Sequence, residues 1–528
     1  MRNDMMKADQ TRSQVGESYR KRFLHRGVPI GASVLALLSL VPARIAVPGS
    51  AARWTYSLVM TEIPYHAAAH RKPDGGFLFN TAAERNSRIV VLAPDGSATV
   101  LTPEFAAAAD PSISFDARRI LFAGKRSPRD RWNIWEMDVD GKDKRQITNS
   151  LGDCREPEYL ALSSITPPDF KDKVRWITFT SNEAHTYQEG SASLATSLYA
   201  TNLDATSDRG ILTWRLTFNL SSDLSPTVLR DGRILFTSRQ WFEGAPEKYP
   251  LLAVNWDGTG LNLFCGSEQG AFLKTMACEM PDRTLVFIES ASLYDSGGQL
   301  ARVSFRRPLH SYQALSHGDG TYLYPHAAPD GKLIVSYSSN SNSYGLYVFD
   351  SDRKAPGEKV FYDPEWEALD AQPLAPRPEP MGLISAVVDS LNWGHLHCLS
   401  VYDSDRPEVH RIRRGAVKKV RFLQGVPASA PVPQSGVKGR HPATTRLMGE
   451  APVEEDGSFF VQVPADTPFV IQLLDDKEAV LQTMPRWIWV RRGTSRGCIG
   501  CHENKELAPE NRTSDAVRKA EPHLVGPR

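Results

Sequence analysis

The stretch SPTVLRDGRILFTSRQW, from Ser225 to Trp241, shows the pattern on which most of this 528-residue chain is built. The turn residues Arg-Asp-Gly lead into the apolar triplet ILF, and polar residues follow it. A short apolar run bounded by turn residues is typical of a β-strand, and no sustained 3.6-residue apolar period accompanies it. The stretch therefore predicts β-structure made of short, closely connected strands.

Similar runs recur between about Trp54 and Asp350. Six units can be counted, and they follow one another at steps of roughly 40 to 60 residues. Their apolar triplets begin at Phe77, Ile120, Ile177, Ile234, Leu285 and Leu333. A four-stranded blade with its loops fits within such a step, so the repeat predicts an all-β domain built from blades.

A second recurring feature is a strand that runs into an Asp-containing turn. Examples are RIVVLAPDG ending at Gly96, NIWEMDVDG ending at Gly141 and LLAVNWDG ending at Gly258. Asp-Gly accommodates the positive φ angles of a tight hairpin, so we expect these turns to join the third and outer strands of a blade. The fifth unit departs from the pattern, because its strand GQLARVSF ends without Asp-Gly.

These repeats resemble the TolB-like propeller family, especially in SPTVLRDGRILFTSRQW and in WNIWEMDVDGKDKRQIT from Trp132. The resemblance implies a six-bladed β-propeller over residues 54–369, closed so that no sheet edge is left bare. Propellers of this kind commonly serve as scaffolds or docking surfaces. The fold alone therefore predicts no chemistry.

The recurring pattern of short strands and turns is interrupted at DAQPLAPRPEPMG, residues 370–382, which we interpret as a Pro-rich linker. Further β-type runs follow it, among them HLHCLSVY, GSFFVQVPA and RWIWVRR. Their alternation and the Asp456-Gly457 turn predict a small β-sandwich over residues 383–490.

Residues 491–528 contain the motif CIGCH, from Cys498 to His502. Two cysteines separated by two residues and followed at once by a histidine are the arrangement that attaches a c-type haem. Cys498 and Cys501 would add across the haem vinyl groups as thioethers, and His502 would bind the iron as an axial ligand. We therefore predict one covalent haem c, carried by a C-terminal haem-binding tail.

Other metal or redox interpretations remain open. A CxxC pair can be a redox disulfide, although no thioredoxin-like βαβ pattern surrounds this one. Half of a zinc site would need further Cys or His ligands nearby, and only His523 follows the motif. His395 and His397 alternate on one predicted strand face, as a metal pair or as ordinary residues of a partly buried strand.

Four residues are candidates for the surroundings of the haem iron. Met484, just upstream of the motif, is the candidate sixth ligand, with core packing as its alternative. His523 on a flexible tail could swing back to the iron, or remain exposed near the terminus. Trp487 and Trp489 are placed to wall a haem crevice or to fill the sandwich core.

The N-terminus indicates export. A basic segment, Lys21 to Arg26, precedes an apolar run from Gly27 to Ala43. This layout predicts that residues 1–53 are a cleaved signal peptide or an uncleaved membrane anchor, and that the protein is periplasmic or otherwise exported. In an oxidising compartment four further cysteines could pair, although the sequence assigns no pairs: Cys154, Cys265, Cys278 and Cys398.

Composition and motifs also exclude several functions. The 62 basic and 61 acidic residues nearly cancel, so the sequence lacks the charge footprint of a nucleic-acid-binding protein. No GxSxG, Walker A, HExxH or GxGxxG motif occurs in a suitable context, which leaves hydrolase, phosphate-loop and dinucleotide-binding interpretations without support.

The second half of the chain resembles the hydrazine synthase alpha-subunit-like family. The resemblance rests on APVEEDGSFFVQVPADTPFVIQLLDDKEAVLQTMPRWIWV from Ala451 and on RGCIGCHENKELAPENR from Arg496. With the TolB-like repeats it spans roughly residues 54–512. It implies an exported propeller protein with a haem-attachment module, in which Cys498, Cys501 and His502 match the family motif. The alpha subunit of the hydrazine-forming enzyme is larger and carries more than one haem, whereas this sequence has one CxxCH.

Three functions therefore remain open. We expect an exported c-type cytochrome that passes single electrons to a redox partner docked on the propeller, because one haem supplies one electron at a time. The first alternative is a haem redox enzyme or subunit that acts on a small nitrogen compound, beside a sister subunit, as the hydrazine synthase resemblance suggests. The second is a haem-bearing propeller that serves as a protein-docking module.

Overall fold

The computed structural model of the protein describes residues 44–45, 55–65, 86–161, 174–189, 191, 193–204, 211–241, 247–266, 270–292, 297–318, 320–339, 343–404, 411–430, 444–501, 508 and 510–526. The apolar run before Arg44 and the triplet at Phe77 lie outside these residues. Within them, the structure has one short helix, α1 (Asp515–Arg518), and none long and apolar enough to cross a membrane. Nearly all regular structure is β-strand, so the predicted all-β class is confirmed.

Six sheets are formed by the first 25 strands. In chain order, β1 to β4 are Arg44–Ile45, Ser57–Pro64, Arg88–Leu92 and Ala98–Val100; β5 to β8 are Ala107–Ile113, Arg119–Lys125, Asn133–Asp138 and Arg145–Gln146; β9 to β12 are Cys154–Leu160, Trp176–Ser181, Ser197–Asn202 and Thr213–Arg215; β13 to β16 are Asp223–Val228, Ile234–Ser238, Leu251–Val254 and Asn262–Cys265; β17 to β20 are Leu273–Glu279, Thr284–Ser290, Gln299–Ser304 and Gln313–Ala314; β21 to β25 are Gly320–Ala327, Leu333–Ser339, Gly345–Asp350, Ala355–Phe361 and Trp366–Leu374.

The sheets pack side by side in a closed ring. One strand of each sheet contacts the equivalent strand of the next, in the order β5, β9, β13, β17, β21, β25 and back to β5. The remaining strands of each sheet follow outwards from this inner strand. Such a radial arrangement of sheets is a β-propeller, as the sequence predicted.

The first sheet draws its strands from both ends of this region. Its order is β1-β4-β3-β2-β25, and β25 pairs with β2 from Ser57 with Leu374 to Pro64 with Trp366. The second-strand position, which the predicted triplets occupy in the other sheets, is therefore taken by β2. The inner strand of this sheet, β25, is supplied from a distant part of the sequence. The triplet at Phe77 lies outside the described residues, so its place in the first unit stays a prediction.

The predicted Asp-Gly turns join third and outer strands. They connect β3 with β4, β7 with β8, and β15 with β16. Gly96, Gly141 and Gly258 in these turns have φ angles of 83°, 81° and 80°. Only glycine adopts this left-handed backbone readily, which explains the recurrence of Asp-Gly along the sequence.

The six inner strands share one irregularity. Each contains a β-bulge at which a residue other than glycine has a φ angle between 46° and 57°. These residues are Asp110, Glu156, Ser225, Met276, Tyr324 and Asp370. All six border a cavity of about 70 Å³ in the central channel. The bulge in each inner strand therefore places one residue of that strand on the lining of the channel.

Hydrogen bonds in the channel join neighbouring sheets. The Arg155 guanidinium donates to both carboxylate oxygens of Asp110, at 2.6 and 2.9 Å. The Ser225 N–H donates to the Glu156 carboxylate at 2.9 Å. Burial, and next the Asp110 carboxylate, raise the pKa of Glu156 to about 7. This carboxyl group therefore holds a proton over part of the neutral pH range.

The linker leaves the ring at its centre. Asp370 to Leu374, which the sequence assigned to the linker, form the end of β25. Pro373 is tolerated there because β25 is the last strand of its sheet, and proline within sheets is found mainly on edge strands. Beyond it, the Arg377 N–H donates to the Phe115 carbonyl at 2.9 Å. This part of the linker borders an outer cavity of about 420 Å³ that shares residues with the channel cavity.

Two further sheets follow the linker. Their strands are β26 (Trp393–Cys398), β27 (Lys419–Val426), β28 (Thr444–Pro452), β29 (Phe459–Pro464), β30 (Phe469–Leu474), β31 (Val480–Thr483), β32 (Ser495–Cys498) and β33 (His523–Leu524). One sheet has the order β32-β26-β29-β33 and the other β28-β27-β30-β31. Buried side chains of both sheets form one core, in which the Phe422 ring lies 6.2 Å from Phe459 and 5.7 Å from Phe469. The two sheets therefore pack face to face as a sandwich.

We predict that Glu156→Gln flattens the pH dependence of stability. A carboxyl group whose pKa is raised in the folded state stabilises that state fully below its unfolded pKa, and loses this contribution as the pH rises towards about 7. Glutamine does not ionise, so the variant should not lose this contribution. Between pH 5 and pH 8 its free energy of unfolding should rise by as much as about 3 kcal/mol relative to that of the parent. Urea unfolding at both pH values measures this gain. The exposed Glu521→Gln is the control, and equal pH slopes in all three proteins would contradict the prediction.

Candidate haem-attachment site

Cys498 ends a strand at the edge of a sandwich sheet. β32 pairs in parallel with β26, from Ser495 beside His395 to Cys498 beside Cys398. Among the described strands, β32 has a neighbour on one side only. The motif therefore starts from a fixed strand end and continues as a loop at the border of the sheet.

Gly500 fixes the loop between the two motif cysteines. A Cβ atom at this position would lie 2.0 Å from the Asp403 carbonyl oxygen, so no larger residue fits without movement of the backbone. On the strand side, the Leu399 N–H donates to the Cys498 carbonyl at 3.0 Å. Both contacts hold the direction in which the loop leaves the sheet.

The chain returns to the sandwich after the motif. Arg512 donates to Asp456 Oδ2 at 2.7 Å and to the Leu399 carbonyl at 2.9 Å. The Asp515 N–H, at the start of α1, donates to the same Asp456 oxygen at 3.0 Å. Burial alone would raise the pKa of Asp456, but hydrogen bonds from Ser458, Asp515 and Arg512 lower it to about 2. Because β33 then joins β29, the segment that carries the motif is held on both sides.

Exposure separates the motif cysteines from the other four. Cys498 and Cys501 are partly exposed at the border of the sandwich core, whereas the others are buried. The buried four, all within the described residues, lie in four different hydrophobic clusters: Cys154, Cys265, Cys278 and Cys398. This distribution gives no support for disulfides among them.

The donor set fits covalent haem attachment. Two cysteine side chains with CxxC spacing are accessible at a sheet edge, beside apolar side chains of the core. A haem c needs both features, sulfur atoms for its vinyl groups and apolar walls for its ring. His502, the predicted axial ligand, lies outside the described residues. Within the described part of the chain, no three His, Cys, Asp or Glu side chains are placed to hold a metal ion.

Met484 lies close to the same core as the motif. Its side chain packs at the border of the core cluster that Cys498 and Cys501 also touch. It packs equally against a second cluster that contains Leu220 of the propeller and Trp487. This position agrees with core packing at the junction of propeller and sandwich. The role of Met484 as sixth iron ligand stays a prediction.

The strand histidines lie on the opposite face from the motif. His395 and His397 point away from the core, and their ring centres are 5.2 and 6.5 Å from that of Phe460. Cys498 points towards the core, because its register partner is the buried Cys398. Burial lowers the pKa of both imidazoles, and the proximity of His395 lowers that of His397 further. The structure therefore does not bring these histidines together with the cysteines.

His523 is held in a strand instead of on a flexible tail. β33 is at the far edge of its sheet, three strand spacings from β32. That separation is about 14 Å. The side chain is exposed, as the alternative interpretation expected, and it lies away from Cys498.

Trp487 and Trp489 dock the sandwich onto the propeller. Each is only 2% exposed. Trp489 lies in the hydrophobic cluster between the third and fourth propeller sheets, together with Trp256, and its ring is 6.1 Å from Phe218. Trp487 Nε1 donates to the buried Glu189 at 3.4 Å. Sequence reasoning offered a haem wall or the sandwich core; instead, Trp489 completes the core of the propeller.

One Asp-Gly turn anchors both the linker and this docking segment. Arg491 Nε donates to the Asp257 carbonyl at 2.9 Å, and its Nη1 donates to Asp466 Oδ1 at 2.5 Å. Ser385, shortly after the end of the linker, donates to Asp257 Oδ2 at 3.0 Å. The sequence predicted the turn but not this role, because equivalent turns recur in other sheets. The tryptophan in NWDG, where other units have other residues, is the one local signal of a difference.

Comparison with known proteins finds similarity to the hydrazine synthase alpha subunit. Residues 415–503 match the family described as Hydrazine synthase alpha subunit middle domain. Hydrazine synthase subunit alpha of Kuenenia stuttgartiensis is 27% identical over 534 residues, covering 83% of this chain. The chain spans 64% of the length of that relative.

A solved structure shows the same similarity. The Kuenenia stuttgartiensis hydrazine synthase superposes with a TM-score of 0.76 at 25% sequence identity. The match covers 88% of this chain and 71% of the other. The resemblance to the hydrazine synthase alpha subunit, which the sequence motifs indicated, is therefore confirmed.

We predict that Trp489→Ala loosens the sandwich from the propeller. Removing a buried indole leaves a cavity, which should lower the free energy of unfolding by about 3–5 kcal/mol. The substitution should therefore lower the urea unfolding midpoint and speed proteolytic cleavage within residues 375–390. Trp393→Ala is the matched control, because Trp393 is half-buried on the outer face of the sandwich. Equal cleavage rates in the two variants would contradict the docking role of Trp489.

Proposed function

We propose that this protein is a haem-bearing subunit of a redox enzyme that acts on a small nitrogen compound, as in hydrazine synthase. The observation that carries the proposal is the similarity to hydrazine synthase subunit alpha over 83% of the chain. This similarity favours the enzymatic alternative over the single-electron cytochrome that the haem count alone suggested.

In this proposal the motif residues hold one haem c. Cys498 and Cys501 would form the thioethers, and His502 would bind the iron. The bound haem would supply one-electron redox chemistry and a position for a small ligand. The chain's own contribution is orientation: β32 and the contact of Gly500 with Asp403 fix where the two sulfur atoms lie.

The propeller would serve as the scaffold and docking surface. Each of its six sheets is then one blade of a six-bladed propeller, and a sister subunit or redox partner binds to it. One haem passes one electron at a time, so a multi-electron reaction needs a second redox centre, which such a partner would bring. We propose that the protein works outside the cytoplasmic membrane, because its N-terminus has the layout of an export signal.

We predict covalent haem attachment through the motif. Protein made with cytochrome c maturation machinery should keep a haem-stained band on a denaturing gel, because thioethers survive denaturation. Cys498→Ala with Cys501→Ala should lose the band. Cys278→Ala should retain it, because Cys278 is buried in the propeller. Haem that extracts freely with acid and acetone would overturn the prediction.

We also predict that the haem iron would be open to an added small ligand, as the proposed enzymatic function requires and in contrast to ligation by Met484. The ferrous protein should bind carbon monoxide at neutral pH and shift its absorption spectrum, because His395, His397 and His523 lie away from Cys498. Met484→Leu should bind carbon monoxide to the same extent, since Met484 packs at the junction with Trp487. A six-coordinate low-spin spectrum without binding would instead favour the electron-transfer function.

A further inference from the structure

We propose that Cys398 forms a disulfide with Cys498 in the haem-free protein, which makes Cys398 a third functional cysteine of the attachment site. The inference rests on the proposed function in one respect, namely that an attached haem would occupy Cys498. The disulfide itself follows from the geometry of the two strands.

Cys398 and Cys498 are direct neighbours across a strand pair. Each is the last residue of its strand, and the parallel pairing of β26 with β32 makes them register partners. Adjacent strands lie about 4.8 Å apart, which falls within the range of about 4.4–6.8 Å for the Cα atoms of a disulfide. Register partners project to the same face of a sheet, so both sulfur atoms lie on the core side.

Local contacts favour the same pair. Cys398 Sγ lies 4.0 Å from the carbonyl oxygen of Ile499, the residue that follows Cys498. Both cysteines pack on the same core cluster. The hydrogen bond from the Leu399 N–H to the Cys498 carbonyl, 3.0 Å long, keeps the strand ends in register. Closing the disulfide therefore requires rotation of side chains but no change of strand pairing.

A disulfide within the motif is the competing product. It would close a small ring over Ile499 and Gly500, and Gly500 is held against the Asp403 carbonyl. The bond to Cys398 avoids a rearrangement of this loop. It would also shield the accessible Cys498 from irreversible oxidation, and would have to be reduced before Cys498 could accept a haem vinyl group.

Exposure sets the order of the chemical steps. Cys398 is 2% exposed and Cys498 is partly exposed, so an external disulfide reaches Cys498 first. The Cys498 thiolate attacks one sulfur of the donor, forms a mixed disulfide and releases one donor thiolate. Cys398 then attacks the Cys498 sulfur and releases the second donor thiolate. Two protein thiols are oxidised, the donor is reduced to two thiols, and the two protein protons pass to them.

Peptide mapping of the haem-free protein tests the proposal. The full chain is made without maturation machinery, incubated with oxidised glutathione, alkylated with N-ethylmaleimide and digested without reduction. We expect a cross-linked peptide that joins Cys398 to the segment from Gly497 to Lys505, with the alkyl group on Cys501. Fragmentation of this peptide in the unmutated protein assigns the bond even where a variant fails to fold.

Matched variants identify the partner. Cys501→Ser and Cys278→Ala should retain the cross-link, whereas Cys498→Ser and Cys398→Ala should lose it. A disulfide between Cys498 and Cys501, full alkylation of all three cysteines, or a cross-link that survives Cys498→Ser would overturn the proposal. These outcomes do not bear on haem attachment, which the haem-stained gel tests separately, so either proposal can fail alone.

Discussion

The pairing of β25 with β2 is the contact on which the rest of the structure depends. It joins strands from the two ends of the propeller region, from Ser57 with Leu374 to Pro64 with Trp366. Without it, the inner edge of the first sheet would be bare and the last sheet would have no neighbour to close against. The same strand carries Asp370 into the channel and ends at the linker, so ring closure also sets where the chain leaves for the sandwich.

The position of the motif then follows from a second contact, the insertion of Trp489 between two propeller sheets. Arg491 adds hydrogen bonds to Asp257 on the propeller and to Asp466 on the sandwich. Cys498 lies shortly after this docking segment in the sequence. The CIGCH motif is therefore built on a part of the sandwich that is fixed to the propeller.

Local sequence patterns predicted the elements of this fold well, and the contacts between distant elements poorly. The Asp-Gly turns and the apolar triplets depend on near neighbours, so Gly96 and Ile120 were placed correctly. The completion of the first sheet depends on the pairing of β2 with a strand more than 300 residues away, about which periodicity carries no information. The candidate site divides in the same way. CIGCH is visible as a motif, whereas the contact of Gly500 with Asp403 and the pairing of Cys498 with Cys398 appear only once the strands are assembled.

The anchoring of the chain after the motif affects how much conformational entropy is lost when a prosthetic group binds. Arg512 and Asp456 tie down the far end of the segment that begins at Cys501, and β33 secures the residues beyond. A loose tail would lose about 1–2 kcal/mol of backbone conformational entropy for each residue that a prosthetic group ordered. Here folding has already fixed both ends of the segment, so the entropy cost of bringing these ends together is met before any group arrives at Cys498 and Cys501.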